Sequence, residues 1–270
     1  MHPGTAPQPS QPLHLLQLTD THLFADPLGE VYGIRTSESL ARVLGQALAS
    51  GPSPDALLLT GDVADDGSEA AYLRVRERLS PLGRPVYCVP GNHDEPRTMA
   101  RVLGGGGFQV GGQASLGAWT LLLLDSHVPG EPHGRLGEAA LARLEADLEA
   151  QADRHVLVAV HHPPVPLGSA WIDAMGLEDG EALLERLGRH PRACMVTSGH
   201  VHQAFAAPRA RLQVFTSPST CAQFAPGAAD FELDVRPPGW RRWTLWPDGR
   251  IDTAVHWLDV DERPDRAGPA

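Results

Sequence analysis

An apolar run that ends in a polar cluster, ALLLTGD at residues 56–62, decides the fold. Consecutive apolar residues bounded by turn residues are typical of a buried strand in a parallel sheet. The same pattern recurs as LLQLTDTH at 15–22, VYCVPGNHD at 86–94, VLVAVHHPP at 156–164 and MVTSGHVH at 195–202. Because open α/β sheets bind ligands beyond the carboxyl ends of their strands, the five polar clusters are predicted to meet at one site.

Helical patterns alternate with these strands and with a further predicted strand over residues 120–125. The apolar spacing predicts helices over 36–49, 67–79, 95–103, 137–152 and 179–189. This alternation indicates a layered α/β fold within one domain, which we place at residues 13–260. After Val201 the helical pattern stops, and residues 211–217, 230–235, 240–246 and 251–258 are predicted to be antiparallel strands that complete a second sheet. Residues 1–12 are expected to be a disordered lead-in, and 261–270 a polar tail.

Composition excludes several classes of protein. The chain has 270 residues, a net charge of −11 and 22 basic residues, all of them arginine. The negative charge disfavours nucleic acid as a partner. The absence of lysine excludes Schiff-base chemistry and the phosphate-binding lysine of P-loop proteins. Three widely spaced cysteines and the lack of a long apolar segment predict a cytoplasmic protein with no membrane partner.

The polar clusters combine carboxylates, an amide and imidazoles. Each cluster alone has a plainer explanation, because an aspartate after a strand is usually a turn residue or a helix cap. Five such clusters in succession favour a metal site instead. Mixed oxygen and imidazole ligands suit manganese, iron or zinc, and two ions that share a carboxylate would form a dinuclear centre.

The clusters resemble the motif series of the calcineurin-like metallophosphoesterases, DxH, GDx, GNH(D/E), H and GHxH. This series is matched at 20–22, 61–63, 91–94, 161 and 199–202. A closer resemblance, to the bacterial class III 3′,5′-cyclic AMP phosphodiesterases, rests on TDTHLF at 19–24, LLDS at 123–126, PHG at 132–134, PSTCAQF at 218–224 and PGWR at 238–241. The resemblance implies a four-layer α-β-β-α sandwich of two mixed sheets flanked by helices.

The resemblance also implies two divalent ions, Fe(II) or Mn(II), and assigns their ligands. One ion would be held by Asp20, His22, Asp62 and His202. The other would be held by Asp62, Asn92, His161 and His200, with Asp62 as the bridge. The doublet at 161–162 leaves a choice, for which the family pattern favours His161 and places His162 behind it.

The implied reaction is hydrolysis of 3′,5′-cyclic AMP to 5′-AMP, in which a hydroxide that bridges the ions attacks phosphorus. His93 is the candidate for protonating the leaving oxygen, and Asp94 is expected to orient it. Substrate contacts are expected from His22, Asp62, Asn92, His93, His202 and His133.

Other interpretations stay open. The same metal core would serve a glycerophosphodiesterase or a phosphatase of small molecules, and a protein-binding scaffold that has lost catalysis would lack some of the ligands. Residues 162–180 form a long proline-rich segment in which Trp171 either packs the loop or covers an adenine ring. The sequence leaves the oligomeric state open, a homodimer included.

Overall fold

The computed structural model describes residues 11–259. Its helices are α1 (Thr36–Ala49), α2 (Glu69–Leu79), α3 (Pro96–Leu103), α4 (Gly137–Ala150), α5 (Ala170–Asp173) and α6 (Gly180–Arg189), with a 3₁₀ turn at Ser80–Leu82. Its strands are β1 (Leu13–Leu18), β2 (Glu30–Val31), β3 (Ile34–Arg35), β4 (Ala56–Thr60), β5 (Val86–Val89), β6 (Phe108–Val110), β7 (Gly112–Leu116), β8 (Trp119–Leu124), β9 (His155–Val160), β10 (Ala193–Ser198), β11 (Phe205–Arg209), β12 (Leu212–Thr216), β13 (Gln223–Phe224), β14 (Leu233–Asp234), β15 (Gly239–Leu245) and β16 (Ile251–Trp257).

Two six-stranded mixed sheets form the centre of the molecule. The first has the order β16-β15-β1-β4-β5-β6, in which β1, β4, β5 and β6 are parallel. The second has the order β11-β12-β10-β9-β8-β7, in which β12, β10, β9 and β8 are parallel. The five strands that end in the polar clusters of the sequence, β1, β4, β5, β9 and β10, are all among these parallel strands.

Three apolar cores show that the molecule has four layers. Alternate residues of β4 point to opposite faces, so that Leu57 and Leu59 pack under α1, α2 and α3 while Leu58 lies between the sheets. Between the sheets Leu58 joins residues of the second sheet such as Leu157 and Met195. A third core packs α4 and α6 on the outer face of the second sheet. The predicted sandwich of helices, two mixed sheets and helices is confirmed.

The prediction for the C-terminal strands is wrong in part. Only the predicted strand at 211–217 joins the second sheet, as β12, and it runs parallel to β10. The strands β15 and β16 instead extend the first sheet, because β15 pairs antiparallel with β1 from Leu13↔Leu245 to Gln17↔Arg241. The predicted strand at 230–235 is reduced to β14, which pairs with β13 in a separate ribbon. Residues 1–10 and 260–270, which contain most of the predicted lead-in and tail, lie outside the described residues.

Candidate active site

The five polar clusters meet at one edge of the two sheets, as predicted. Seven side chains with metal-binding atoms converge there, and we call them the donor cluster. They are Asp20 and His22 after β1, Asp62 after β4, Asn92 after β5, His161 after β9, and His200 and His202 after β10. All except the half-buried Asn92 are buried, with Asp20 and His161 fully so. Both sheets therefore contribute to one site.

The backbone of the donor cluster is held in an unusual conformation. Asp20, His22, Asp62, His200 and His202 all have positive φ angles, between 44° and 67°. Residues other than glycine rarely adopt this region, and such backbone strain concentrates at functional sites. The strained turns direct these side chains back across the strand ends toward one another.

Two glycines of the motifs allow the donor cluster to pack closely. A β-carbon on Gly61 would overlap the ring of His161, and one on Gly91 would overlap the Asp62 carboxylate. Gly61 also has a φ of +94°, which favours glycine. Only glycine fits at these two positions, because a β-carbon would collide with the side chain that faces it.

One half of the donor cluster centres on two imidazoles. The Nε2 atoms of His22 and His202 lie 3.3 Å apart, and His202 Nε2 lies 3.4 Å from Asp20 Oδ1. Asp62 Oδ2 lies 3.9 Å from His22 Nε2. Two ligands that each lie ~2.1 Å from an ion are separated by roughly 3.0–3.4 Å, so this spacing fits donors that share one cation.

The other half contains Asn92, His161 and His200. Asn92 Oδ1 lies 3.2 Å from His161 Nε2 and 3.0 Å from His200 Nδ1. Asp62 Oδ2 lies 3.4 Å from His161 Nε2. The same carboxylate oxygen thus faces both halves of the cluster, which is the arrangement that a bridging ligand requires.

Hydrogen bonds on the outer side of three rings fix which nitrogen faces the centre. The outward Nδ1 atom of His22 pairs with Asp65 Oδ1 at 3.0 Å, that of His161 with the Thr60 carbonyl at 2.8 Å, and that of His202 with the Ala222 carbonyl at 2.7 Å. When Nδ1–H donates to these oxygens, the lone pair of Nε2 points inward. The residues present therefore fit a pair of divalent cations.

The charges of the cluster support the same conclusion. Burial alone would raise the pKa of Asp62, but His161 and His22 hold that pKa well below its usual range. Burial and, next, the neighbouring His161 lower the pKa of His200 to about 3. Burial would also lower the pKa of His161, but the Asp62 carboxylate raises it to about 9. The buried carboxylate stays negative and attracts positive charge into the site.

His162 lies behind the cluster and not within its centre. Its Nδ1 is 2.8 Å from Ser126 Oγ and its Nε2 is 3.2 Å from the Pro132 carbonyl, so both ring nitrogens have protein partners. Burial and the neighbouring His200 hold its pKa well below the usual value. This geometry favours His161 as the donor, which is the choice that the sequence pattern made.

His93 stands at the mouth of the site with 42% of its side chain exposed. Its backbone N–H donates to Asp62 Oδ1, and its ring Nδ1 lies 3.3 Å from the Asp65 carbonyl and 3.5 Å from Asp65 Oδ1. Asp65 therefore contacts both His22 and His93. Sequence reasoning missed this residue, although its place three positions after Asp62 in the same strand-end cluster is a signal that could have found it.

The expectation that Asp94 orients His93 needs correction. The buried carboxylate of Asp94 accepts hydrogen bonds from the backbone N–H groups of Val63, Ala64 and Gly91 and from the hydroxyl of Tyr72. These four donors occupy both of its oxygens. Asp94 thus holds the turn after β4 against the turn after β5, and Asp65 lies beside the His93 ring in its place.

A cavity of about 200 Å³ opens onto the donor cluster. Its walls contain the donors His22, Asp62, Asn92, His200 and His202 together with His93, and the other lining residues are Val31, Tyr32, Asp65, Pro132, Trp171, Ile172, Met175 and Phe224. Five of the six expected substrate contacts line this cavity. His133 does not, because its ring turns toward Glu178, with Nε2 at 3.2 Å from Oε1. Tyr32 and Phe224 were not expected from the sequence.

Comparison with known proteins defines the class of this chain. A family model described as calcineurin-like phosphoesterase matches residues 13–204. The chain therefore belongs to the calcineurin-like phosphoesterase family, and the resemblance seen in the motifs is confirmed. Among curated proteins it is 41% identical, over 91% of its length and 90% of the other, to the 3′,5′-cyclic adenosine monophosphate phosphodiesterase CpdA of Vibrio vulnificus. It is 37% identical to the protein of the same name from Escherichia coli K12, over 94% of both chains.

Solved structures support the fold. A dimetal phosphatase from Danio rerio superposes with a TM-score of 0.65 and 16% identity, over 93% of this chain and all of the other. The protein TT1561 of Thermus thermophilus gives a TM-score of 0.59 with 14% identity, over 90% and 98% of the two chains. Within residues 11–259, no helix has both the length and the apolar character that a bilayer crossing requires.

Proposed function

We propose that this protein hydrolyses 3′,5′-cyclic AMP to 5′-AMP at a dinuclear metal centre. The observation that carries the substrate assignment is the 37–41% identity, over more than nine tenths of the chain, to proteins named as 3′,5′-cyclic AMP phosphodiesterases. The geometry of the donor cluster supports the chemistry, since one oxygen of Asp62 faces two sets of converging donors.

The donor cluster would hold two ions. One would be bound by Asp20, His22, Asp62 and His202, and the other by Asp62, Asn92, His161 and His200. Nitrogen and oxygen donors in this mixture suit Fe(II) or Mn(II). Such ions, when bound, activate water as a nucleophile and stabilise the negative charge of the phosphate.

His93 is proposed as the proton donor to the leaving oxygen. Its ring lines the cavity beside Asp62, and Asp65 contacts its Nδ1. When Nδ1 faces Asp65, Nε2 is left to face the substrate. The 3′-oxygen of ribose is a poor leaving group, so a proton delivered as the bond to phosphorus breaks lowers the barrier.

The remaining parts of the proposal concern the chain as a whole. We propose that residues 13–260 fold as one domain, because β15 and β16 close the sheet that β1 begins. The partner is a small cyclic nucleotide, and the negative net charge argues against nucleic acid. Buried Cys88 and Cys221, both free thiols, are compatible with a reducing cytoplasm. A homodimer remains a hypothesis that gel filtration with light scattering would test.

The test is a turnover screen. Metal-free protein would be reconstituted with Mn(II) or Fe(II) and offered cyclic AMP, cyclic GMP, 2′,3′-cyclic AMP and glycerophosphocholine, with product identified by chromatography. We expect kcat/KM to be highest for cyclic AMP and 5′-AMP to be the product. A clear preference for glycerophosphocholine or for 2′,3′-cyclic AMP would overturn the assignment. The Asp62→Asn variant, reconstituted in the same way, reports any contaminating activity.

A further inference from the structure

Four aromatic side chains form a continuous group beside the donor cluster, and three of them line the cavity. We call Tyr32, Trp171, Phe224 and Phe231 the aromatic cluster. The ring centre of Trp171 lies 5.2 Å from that of Phe224 and 5.3 Å from that of Phe231. Tyr32 lies 5.3 Å from Phe231 and 6.1 Å from Phe224. Three separate segments of the chain thus bring their rings together at this place.

The aromatic cluster adjoins the metal-binding atoms directly. Phe224 stacks on the imidazole of His202 with ring centres 4.2 Å apart and planes 9° from parallel. Tyr32, Trp171 and Phe224 line the same cavity as His202 and Asn92. A molecule whose phosphate lies at the donor cluster would therefore place its next group against aromatic rings.

Two of the four rings are exposed to solvent, whereas Phe224 is buried. Tyr32 and Phe231 expose 53% and 48% of their surface. Exposed apolar surface grouped beside a polar cavity marks a binding site more often than a packing core. In addition, the indole N–H of Trp171 is buried and has no hydrogen-bond partner among residues 11–259. The rings are therefore arranged for contact with a planar ligand that also offers hydrogen-bond acceptors.

The backbone of Tyr32 has a conformation that is unfavourable for an aromatic residue. Tyr32 and Gly33 form the two-residue turn between β2 and β3, with φ angles of +49° and +77°. Turns of this kind favour asparagine before glycine, and an aromatic residue there has an unfavourable backbone conformation. A residue that the turn disfavours, placed at a binding cavity, is consistent with a functional constraint on its side chain.

We infer that the aromatic cluster binds the nucleobase of the substrate by stacking. This inference rests on the proposed function, because it takes the substrate to be a cyclic nucleotide. Bases stack on aromatic side chains through their π faces, and a purine offers a larger face than a pyrimidine. The ribose spans the distance between the donor cluster and the rings, so the two clusters hold opposite ends of one molecule.

The decisive variant is Tyr32→Asn, since it removes the ring and supplies the residue that the turn prefers. We expect a melting temperature equal to or above that of the wild type, together with a loss in kcat/KM for cyclic AMP of about 5- to 100-fold that appears mainly in KM. Such a loss cannot be assigned to misfolding. An unchanged kcat/KM would overturn the inference for this residue.

A matched control exists in the second sheet. Ala210 also has a positive φ, +53°, in the two-residue turn between β11 and β12. This turn precedes β12, and β12 runs toward the donor cluster, so the turn lies at the far end of the sheet. Ala210→Asn is expected to leave kcat/KM for every substrate within twofold of the wild type. A loss equal to that of Tyr32→Asn would overturn the inference.

A substrate without a base separates this inference from the proposed function. We would compare Trp171→Leu and Trp171→Phe on cyclic AMP and on the 3′,5′-cyclic phosphate of methyl riboside. Trp171→Leu is expected to lose activity on cyclic AMP but not on the methyl riboside compound, and Trp171→Phe to keep most of both. Equal losses on the two compounds would overturn the base-binding role while leaving cyclic AMP hydrolysis intact. Failure of the wild type to hydrolyse cyclic AMP would instead overturn the proposed function.

Discussion

The donor cluster and three rings of the aromatic cluster line one cavity, and the two clusters differ in how much of them is exposed. Asp20, His161 and His202 are 0%, 0% and 3% exposed, whereas Tyr32 and Phe231 are about half exposed. The donors follow the strands of two packed sheets, and outer hydrogen bonds fix three of their imidazoles. The aromatic rings are carried by the β2–β3 hairpin, the single-turn helix α5, the short strand β13 and the segment between β13 and β14.

This difference matches the two functions that we propose for the clusters, metal binding and base binding. Atoms that bind metal ions must keep their positions to within a fraction of an ångström, which rigid elements with supporting hydrogen bonds provide. Rings that hold a base tolerate small displacements, and short segments outside the two main sheets can vary without disturbing the core. Substitutions in the donor cluster should therefore abolish turnover of all substrates, and those in the aromatic cluster should change the choice of substrate.

The largest effect is expected from Asp62→Asn. Its carboxylate oxygen faces both halves of the donor cluster, so the neutral amide should weaken both metal sites. We predict a loss in kcat of about 10³-fold or more on every diester, with fewer bound metal ions by elemental analysis. Full activity with two ions per chain would show that Asp62 is not shared.

His93→Ala should come next, with an effect that depends on the leaving group. Loss of a general acid costs ~10²–10⁴ in rate, so cyclic AMP turnover should fall by that factor. Bis(4-nitrophenyl) phosphate releases a stable anion without protonation and should lose much less. Equal losses on both substrates, with metal content intact, would assign His93 to charge stabilisation and not to proton transfer.

A smaller loss is expected from Asp65→Asn. Asp65 contacts Nδ1 of both His22 and His93, and removal of such an outer partner typically costs ~10–100-fold. The matched control is Asp66→Asn, because Asp66 accepts hydrogen bonds from Ala25 and Ser68, which lie outside the donor cluster. Steady-state kinetics of the two variants should differ clearly; similar values would remove Asp65 from the site.

The smallest effect is expected from His133→Ala. The ring of His133 pairs with Glu178 and Glu131 and does not line the cavity. We predict kcat/KM for cyclic AMP within about twofold of the wild type, as for other exposed side chains outside a site. A tenfold rise in KM would restore His133 to the substrate contacts that the sequence suggested.

Sequence patterns correctly predicted the helix bounds and strand ends that depend on residues close together in the chain. Helix α1 has the predicted bounds, Thr36–Ala49, and the strand ends carry the predicted donors, since periodicity and turn residues are local signals. The pairing of β1 with β15 was not predicted, because it joins residues more than two hundred positions apart. A local sequence pattern does not determine which of the two sheets a C-terminal strand will join.

Parts of the site escaped prediction for the same reason. Tyr32 and Phe224 were not predicted, because they lie far apart in the sequence and outside the metal-binding motifs, and only the fold brings them together with Trp171, for which the sequence left two roles open. Asp94 was expected to orient its sequence neighbour His93, but the turn directs its carboxylate to the backbone at Val63 and Ala64. The sequence correctly predicted that Asp94 lies in the turn beside His93, but it predicted the wrong contact for the Asp94 carboxylate.

The central claim is that two ions share the Asp62 carboxylate. A titration of metal-free protein with Mn(II), followed by electron paramagnetic resonance, tests this claim most directly because ions ~3.5–4 Å apart are magnetically coupled. We predict two ions per chain and a coupled signal for the wild type, and one ion with an uncoupled six-line signal for His161→Ala. One ion per wild-type chain, or two ions without coupling, would contradict the account.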